Sequence, residues 1–299
     1  MNSPKLRIFL RTVALLATLG TTGCDKLGLG NDQGPTAPSP PPASDSTIRY
    51  AAVGASDVTG YGSSSLCLLA DCPNGMSYVA QATRQLRSQG FTVILSNLGV
   101  PTAALSRRLQ VLGQQNGHVV VSNFIDNELP FVTSDATLVS IFAGANDINF
   151  ITSALGGGAG AGNQTAYIDD QVRAFGDDYA TLVNGIRNRA KSARLVVLNL
   201  PNLAALPFLS GASAAQRQAT QRLAVRMTTT VINPLRSQGA SVIDLMCDPR
   251  FYQPSIYSSD GFHPNDSGYA LMATEVVRAA TSSSYPAPAA SCPQMTLIP

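Results

Sequence analysis

A largely apolar run at residues 138–143 most constrains the fold, because such a run is typical of a strand covered on both faces of a parallel sheet. Other short apolar or β-branched runs alternate with segments of helical spacing, and this alternation predicts an α/β fold. We expect a three-layer α/β/α sandwich with a mostly parallel sheet of about five strands. The predicted strands are residues 48–53, 91–96, 138–143, 195–200 and 241–245.

Helical spacing of apolar residues predicts the segments between the strands. A glycine-rich stretch at residues 156–162 interrupts this pattern, and we interpret it as a mobile loop beside the functional site. His118 has no motif around it and is interpreted as a non-catalytic histidine. The predicted helices are residues 76–88, 103–115, 123–131, 169–190, 214–238 and 267–281.

The first 23 residues have the pattern of a signal peptide, since basic residues precede a short apolar segment at 13–19. That segment is too short to span a bilayer. Small residues then lead to Cys24, which resembles the lipidated cysteine of bacterial lipoproteins, although Thr21 stands where that pattern usually has Leu. An ordinary secretory cleavage nearby, with Cys24 incidental, is the alternative. Both interpretations predict an exported domain.

Residues 24–46 are rich in Pro, Ser and Gly and predict a disordered linker that cannot form a core. The folded domain is expected at residues 47–299, which is long enough for one α/β domain. Hydrophobic residues make up 44% of the chain and charged residues 13%, as in a globular protein. The net charge of +2 gives no reason to expect a nucleic acid as partner.

Four cysteines remain after Cys24, and an even number in an oxidising compartment favours two disulfides. Proximity favours the pair Cys67–Cys72, which leaves Cys247–Cys292 to hold the C-terminal tail. Free thiols or a metal site are the alternatives. Only two histidines and no Cys-x-x-Cys pair are present, so we expect no metal and no cofactor.

Polar or glycine residues follow several predicted strands. In a parallel sheet the carboxyl ends of the strands lie at one edge, and functional sites usually form there. Ser56 follows the first strand, Gly99 the second and Asn146 the third. A loop near the C-terminus carries Asp260 and His263, and a carboxylate beside an imidazole suits the base of a nucleophilic hydrolase. Each position alone is equally compatible with an ordinary turn or a surface loop.

Together these blocks resemble the SGNH (GDSL) hydrolase family, whose motifs occur in the same order. They are Gly54-Ala55-Ser56, Gly99, Gly144-Ala145-Asn146-Asp147 and Asp260-Gly261-Phe262-His263. The resemblance covers about residues 48–282 and implies a flavodoxin-like SGNH hydrolase fold and a serine esterase or lipase activity. The family's Asp before the serine is Ala55 in this chain, and Asp57 follows the serine in place of an apolar residue.

The resemblance implies that Ser56 is the nucleophile, His263 the general base and Asp260 the residue that orients His263. It also implies an oxyanion hole made of the Ser56 and Gly99 N–H groups and the Asn146 side chain. These roles agree with the chemistry that the residue types allow.

The loops expected beside the site lack a long apolar patch, which favours a carboxylesterase for short to medium acyl chains. A lysophospholipase-like or polysaccharide-deacetylating esterase is the alternative, as is a non-catalytic envelope or glycan-binding protein. We expect a monomer that acts on a small-molecule or lipid ester, with membrane contact only through a lipid anchor. Its expected location is the bacterial cell envelope, lipid-anchored, periplasmic or on the surface, or the secreted fraction.

Overall fold

Five strands pair side by side in one parallel sheet in the order β2-β1-β3-β4-β5, which confirms the predicted α/β class. Every residue of β3 and β4 is buried, as expected for central strands with helices on both faces. The strands are β1 (Thr47–Gly54), β2 (Thr92–Asn97), β3 (Leu138–Phe142), β4 (Arg194–Leu198) and β5 (Ser241–Ile243).

In the part of the chain that the structure describes, eight α-helices connect and flank the strands. Most begin at a Ser or Asn whose side chain accepts a backbone N–H of the first turn, as Ser77, Ser106 and Asn265 do. The helices are α1 (Ser56–Thr59), α2 (Tyr78–Ser88), α3 (Arg107–Gln115), α4 (Phe124–Asn127), α5 (Ala145–Gly156), α6 (Gln164–Arg189), α7 (Ala214–Arg226) and α8 (Asp266–Thr281).

The computed structural model describes residues 39–44, 46–68 and 71–298, which all lie in one unit, Gln33–Pro299. The predicted signal peptide, Cys24 and most of the predicted linker lie outside these residues. Within the described part of the linker, the Ser39 carbonyl accepts a hydrogen bond of 2.5 Å from Arg194. None of the helices in the described residues combines the length and the apolar character that a membrane-spanning helix requires.

The structure corrects three of the predicted elements. Residues 103–106 are not helical, and Ala104 instead pairs with Asn123 in an isolated bridge. The predicted long helix at 214–238 changes to π geometry at Met227–Ile232 and to 3-10 geometry at Asn233–Gln238. Pro234, which has no N–H to donate to the preceding turn, explains why the regular α-helix does not continue.

The third correction concerns the glycine-rich stretch. Residues 145–156, for which no helix was predicted, form α5 directly after the third strand. A helix of 12 residues is about 18 Å long, so the glycines at 157–162 lie at the far end of α5 from Asn146. The prediction that this stretch borders the functional site is therefore wrong, because a helix separates the two.

Candidate active site

Ser56, His263 and Asp260 form a continuous chain of hydrogen bonds. The Oγ atom of Ser56 lies 2.8 Å from Nε2 of His263, and Nδ1 of the same ring lies 2.6 Å from Oδ2 of Asp260. The His263 side chain is largely buried, whereas Asp260 is partly exposed. This order of hydroxyl, imidazole and carboxylate is the arrangement in which a base can activate a nucleophile.

The turn that presents Ser56 leaves no room for a larger residue at Gly54. A Cβ atom there would lie 2.9 Å from the Phe142 carbonyl oxygen and 2.6 Å from a Val58 methyl carbon. Ser56 then opens the single-turn helix α1, and its carbonyl oxygen accepts the Tyr61 N–H at 3.0 Å. The close packing of β1, β3 and α1 therefore holds the serine at the carboxyl edge of the sheet.

The loop before α8 holds Asp260 and His263 through its own backbone. Oδ1 of Asp260 accepts the N–H groups of Phe262 and His263 at 2.8 and 2.9 Å. Gly261 has a φ of 69°, and a Cβ there would lie 2.7 Å from the Phe208 nitrogen, so glycine is required in this turn. The other carboxylate oxygen remains available for the imidazole.

Asp260 stays ionised over a wide pH range. Partial burial opposes its charge, but hydrogen bonds from the His263 side chain and from the His263 and Phe262 backbones outweigh this cost, and its pKa falls to about 2. A carboxylate at this position stabilises the positive charge that the imidazole acquires when it takes a proton.

Asn146 lies in the first turn of α5, beside the turn at residues 54–56 that leads from β1 into α1. Its Nδ2 atom donates a hydrogen bond to the Ala103 carbonyl at 3.0 Å. An amide nitrogen carries two hydrogens, so one remains for a further acceptor. Asn146, Ala103 and Ala55 line one small pocket, which places the amide next to the residue that precedes Ser56.

Gly99 also lies against the turn at residues 54–56, since a Cβ atom on Gly99 would be 3.1 Å from the Ala55 carbonyl oxygen. Its N–H, however, donates to Oδ1 of Asn97 at 3.2 Å. Binding of a substrate oxyanion at Gly99 would therefore compete with Asn97. In the same loop, Thr102 has a φ of 65° and is the only non-glycine residue of the described chain with a positive φ. Such strain clusters at functional sites.

Two aspartates next to the predicted site residues are buried. Asp147 accepts the Leu105 N–H at 3.0 Å and so ties α5 to the segment that follows Gly99; burial raises its pKa to about 7. Burial also raises the pKa of Asp57, whose Oδ1 lies 3.4 Å from the Tyr269 hydroxyl. Neither carboxylate contacts the Ser56–His263 pair in the hydrogen bonds described above.

Sequence reasoning missed Glu128, which is fully buried and accepts the Gly54 N–H at 2.9 Å. Burial raises its pKa well above the usual range of a carboxyl group, although bonds from Gly54 and Val100 oppose the shift. Glu128 thus links the turn before Ser56 to the loop that follows Gly99. Nothing in its local sequence, an acidic residue between a helix and a proline, indicates this long-range contact.

The second histidine lies elsewhere. His118 Nε2 is 2.7 Å from Ser153 Oγ, and its ring packs on Phe150. Among the described residues no carboxylate hydrogen-bonds to His118, so this pair lacks the third member of the Ser56 arrangement. Within residues 39–44, 46–68 and 71–298, no cluster of three or more His, Cys, Asp or Glu side chains could hold a metal ion.

The four cysteines within the described residues form two disulfides, Cys67–Cys72 and Cys247–Cys292. The first closes a loop that is hydrogen-bonded to α1, the helix that begins at Ser56, because the Cys67 N–H donates to the Thr59 carbonyl at 2.8 Å. Both are compatible with export to an oxidising compartment.

The fold and this constellation define a carboxylic ester hydrolase. The profile of the GDSL-like lipase/acylhydrolase family matches residues 52–271, and the chain belongs to that family. The match covers β1 to α8 and so includes all the residues of the predicted site.

The chain is also similar to solved structures of lipases, and the first of these shows the same fold. An extracellular lipase from Streptomyces rimosus is 20% identical, with a TM-score of 0.54; the alignment covers 78% of this chain and 100% of that one. A lipase from a goat rumen metagenome is 18% identical over 78% of this chain and 97% of its own, with a TM-score of 0.49. Phospholipase A1 from Streptomyces albidoflavus is 16% identical over 79% and 99%, with a TM-score of 0.47. No curated protein matches the sequence.

Proposed function

We propose that this protein is a serine esterase that cleaves carboxylic esters of short to medium acyl chains through an acyl-enzyme intermediate. The observation that carries the proposal is the hydrogen-bonded chain from Ser56 through His263 to Asp260, with distances of 2.8 and 2.6 Å. A hydroxyl held this close to an imidazole can lose its proton as it attacks a carbonyl carbon.

In the first half-reaction, Ser56 Oγ forms a bond to the ester carbonyl carbon while His263 Nε2 takes the hydroxyl proton. When the tetrahedral intermediate collapses, the bond to the alcohol oxygen breaks, and His263 gives its proton to that oxygen. The alcohol leaves and the acyl group remains on Ser56. Water then repeats the sequence, with His263 as base and then acid, and releases the carboxylic acid.

The negative charge of the tetrahedral intermediate needs donors that are already in place. We assign this role to the N–H groups of Ser56 and Gly99 and to the Asn146 side chain, whose second amide hydrogen is available. For Gly99, the substrate oxygen must replace or share the contact with Asn97. Each such donor contributes roughly 10²- to 10³-fold to kcat in comparable sites.

The acyl-chain assignment rests on the surfaces beside Ser56 and His263. Leu66 and Leu68, at the start of the Cys67–Cys72 loop, are exposed. Among the residues that the structure describes there, which leave out 69 and 70, these two fall short of the broad apolar surface that a long-chain lipid interface requires. A small, mainly apolar cavity next to the site is lined by residues such as Leu203, Leu206 and Phe262. Such a cavity suits a limited number of methylene groups.

A series of esters that share one alcohol and differ in acyl length tests this proposal. We expect the highest kcat/KM at short to medium chains, and no turnover by Ser56→Ala at any length. Acetylated polysaccharides and lysophospholipids belong in the same series. Strong activity on acetylated glycans or on lysophospholipids alone would replace the carboxylesterase assignment by that alternative.

We further propose an exported monomer that is held at the cell envelope by lipid on Cys24. The two disulfides support an oxidising compartment, and the tether would be the segment before residue 47. Metabolic labelling with a fatty-acid probe tests the anchor. We expect label on the wild type that is lost in Cys24→Ser. An unlabelled wild type would reject the anchor and favour ordinary secretion, and label that persists in Cys24→Ser would reject Cys24 as its site.

A further inference from the structure

An exposed aromatic side chain lies beside the imidazole of His263. The ring of Tyr61 lies 4.8 Å from the ring of His263, centroid to centroid, and 51% of Tyr61 is accessible to solvent. The two residues are far apart in the sequence. This ring lies beside the imidazole of the proposed base, where it can contact a bound substrate.

The backbone of Tyr61 is held firmly while its ring faces solvent. Its N–H donates to the Ser56 carbonyl at 3.0 Å, and its own carbonyl accepts the Tyr269 hydroxyl at 2.7 Å. Gly60 and Gly62 on either side have φ values of 83° and 89°, which only glycine adopts readily. The backbone that carries the ring is therefore hydrogen-bonded both to Ser56 and to α8.

Gly62 brings this segment directly against the catalytic loop. A Cβ atom at Gly62 would lie 2.8 Å from His263 Cβ and 2.9 Å from the Pro264 carbonyl oxygen. The close packing of the Gly60–Gly62 backbone against the His263–Pro264 backbone therefore places Tyr61 beside His263. A flexible surface loop would not hold the ring in this way.

The chemistry of the proposed reaction determines what lies beside this ring. His263 must donate its proton to the alcohol oxygen of the ester, so that oxygen comes within hydrogen-bond reach of Nε2. The substituent on that oxygen then extends along the surface next to His263. Phe262 also packs edge-on against His263, as well as against Phe208, but it is only partly exposed. Tyr61 is the more exposed of the two rings that contact the imidazole.

We propose that Tyr61 forms the subsite for the alcohol part of the substrate and favours alcohols with a flat or broad apolar face, such as an aryl or a pyranosyl ring. This inference rests on the proposed esterase function and adds the leaving-group preference to it. The ring supplies apolar contact area, and its hydroxyl can donate to a substrate oxygen at the edge of the site.

A purely structural role predicts something different. If Tyr61 only supports His263, its removal slows every ester by the same factor, because every ester needs the same proton transfer. If Tyr61 binds the alcohol, the loss depends on which alcohol leaves. All acetate esters form the same acetyl-enzyme, so an effect that depends on the alcohol arises in acylation and not in deacylation.

The experiment compares kcat/KM for ethyl acetate, benzyl acetate and a mono-acetylated methyl glucopyranoside in the full-length enzyme. Tyr61→Ala should lower the ratio of benzyl to ethyl acetate, or of glucoside to ethyl acetate, about threefold to tenfold, the range expected for one aromatic contact. Tyr61→Phe should keep the benzyl ratio. Phe131→Ala, which removes a ring that is 65% exposed and precedes β3, should leave both ratios at the wild-type value.

The benzyl and glucoside esters distinguish the two kinds of alcohol that the subsite could prefer. A fall in the benzyl ratio indicates an aryl alcohol, and a fall in the glucoside ratio indicates a pyranosyl alcohol. Equal losses on all three esters, or unchanged ratios in Tyr61→Ala, would overturn the proposal while the esterase function stands. If the wild-type enzyme cleaves no ester at all, the proposed function fails, and the subsite fails with it.

Discussion

The Oγ atom of Ser56 lies 2.8 Å from Nε2 of His263, although 207 positions separate the two residues in the chain. Ser56 follows β1, which lies next to β3 and β2 within the sheet, and His263 precedes α8, which packs against α2. The pair therefore forms only when the whole sheet and its helical layer are in place. Activity should accordingly report on the integrity of the complete domain.

The charge of Asp260 should matter more than its shape. In Asp260→Asn, the side-chain oxygen can still accept the Phe262 N–H, but the negative charge beside the imidazole is lost. We expect kcat to fall about 10⁴-fold, the size seen when an orienting aspartate is replaced by its amide in a serine hydrolase. Initial rates with a saturating ester measure this loss.

Asp135→Asn is the matched control, since Asp135 is exposed and forms a surface ion pair with Arg49. It should keep full activity. An Asp260→Asn enzyme within tenfold of wild type would show that the carboxylate does not serve His263.

Asn146 should act on kcat through its free amide hydrogen. We expect Asn146→Ala to lower kcat by roughly 10²- to 10³-fold with a smaller change in KM, because an oxyanion donor acts mainly in the transition state. Asn149→Ala, the same change one turn further along α5, should have little effect on either constant. Equal effects of the two variants would assign the loss to the helix and not to an oxyanion hole.

Much of this site is predictable from the sequence because parallel strands place their carboxyl ends at one edge. Ser56, Gly99 and Asn146 each follow a strand, and the strand pattern is readable from short apolar runs. The helix after β3 was missed, because small and polar residues at its start and glycines at its end obscure the helical spacing. That omission also misplaced the glycine stretch at 157–162.

Contacts across the fold were not predictable in the same way. The approach of Tyr61 to His263 and that of Glu128 to Gly54 depend on how distant segments pack. Local sequence records neither contact. The sequence does not distinguish a buried glutamate such as Glu128 from an exposed one. Its raised pKa follows from its burial, which only the structure shows.

Glu128 should make stability depend on pH in a definite direction. Its pKa in the folded protein is raised by burial, so the folded state retains a proton that the unfolded state releases above about pH 4.5. The free energy of unfolding therefore falls as pH rises from there towards the folded pKa. Glu128→Gln has no such proton, and it should gain stability relative to wild type with rising pH.

Denaturant unfolding of both proteins between pH 5 and 8 measures this difference, since the other titrating groups are common to both. The gap should widen by at most about 1.4 kcal/mol per pH unit. Curves that stay parallel over this range would show that Glu128 is ionised in the folded protein.

The disulfide Cys247–Cys292 should support activity as well as stability. It closes a loop with a sequence separation of 45, which the loop-entropy model values at about 4 kcal/mol, and Cys247 leads into the segment that carries Asp260. Beyond Cys292, the Gln294 carbonyl accepts a hydrogen bond of 3.1 Å from Asn202, next to the apolar cavity. Replacing both cysteines by serine should therefore lower the free energy of unfolding and kcat/KM together.

The double serine variant of Cys67 and Cys72 gives the comparison, since its shorter loop, with a separation of 5, is worth about 2 kcal/mol in the same model. Full activity of folded protein without the Cys247–Cys292 bond would remove the link between this disulfide and the site.

The most direct test of the account is covalent labelling by a serine-directed organophosphonate, followed by mass-spectrometric location of the adduct. We expect one adduct per chain, on Ser56, that is absent in Ser56→Ala and forms much more slowly in His263→Ala. Ser153→Ala removes the other serine paired with a histidine and should label like the wild type. Failure to label, or an adduct on Ser153 in place of Ser56, would contradict the assignment of Ser56 as the nucleophile.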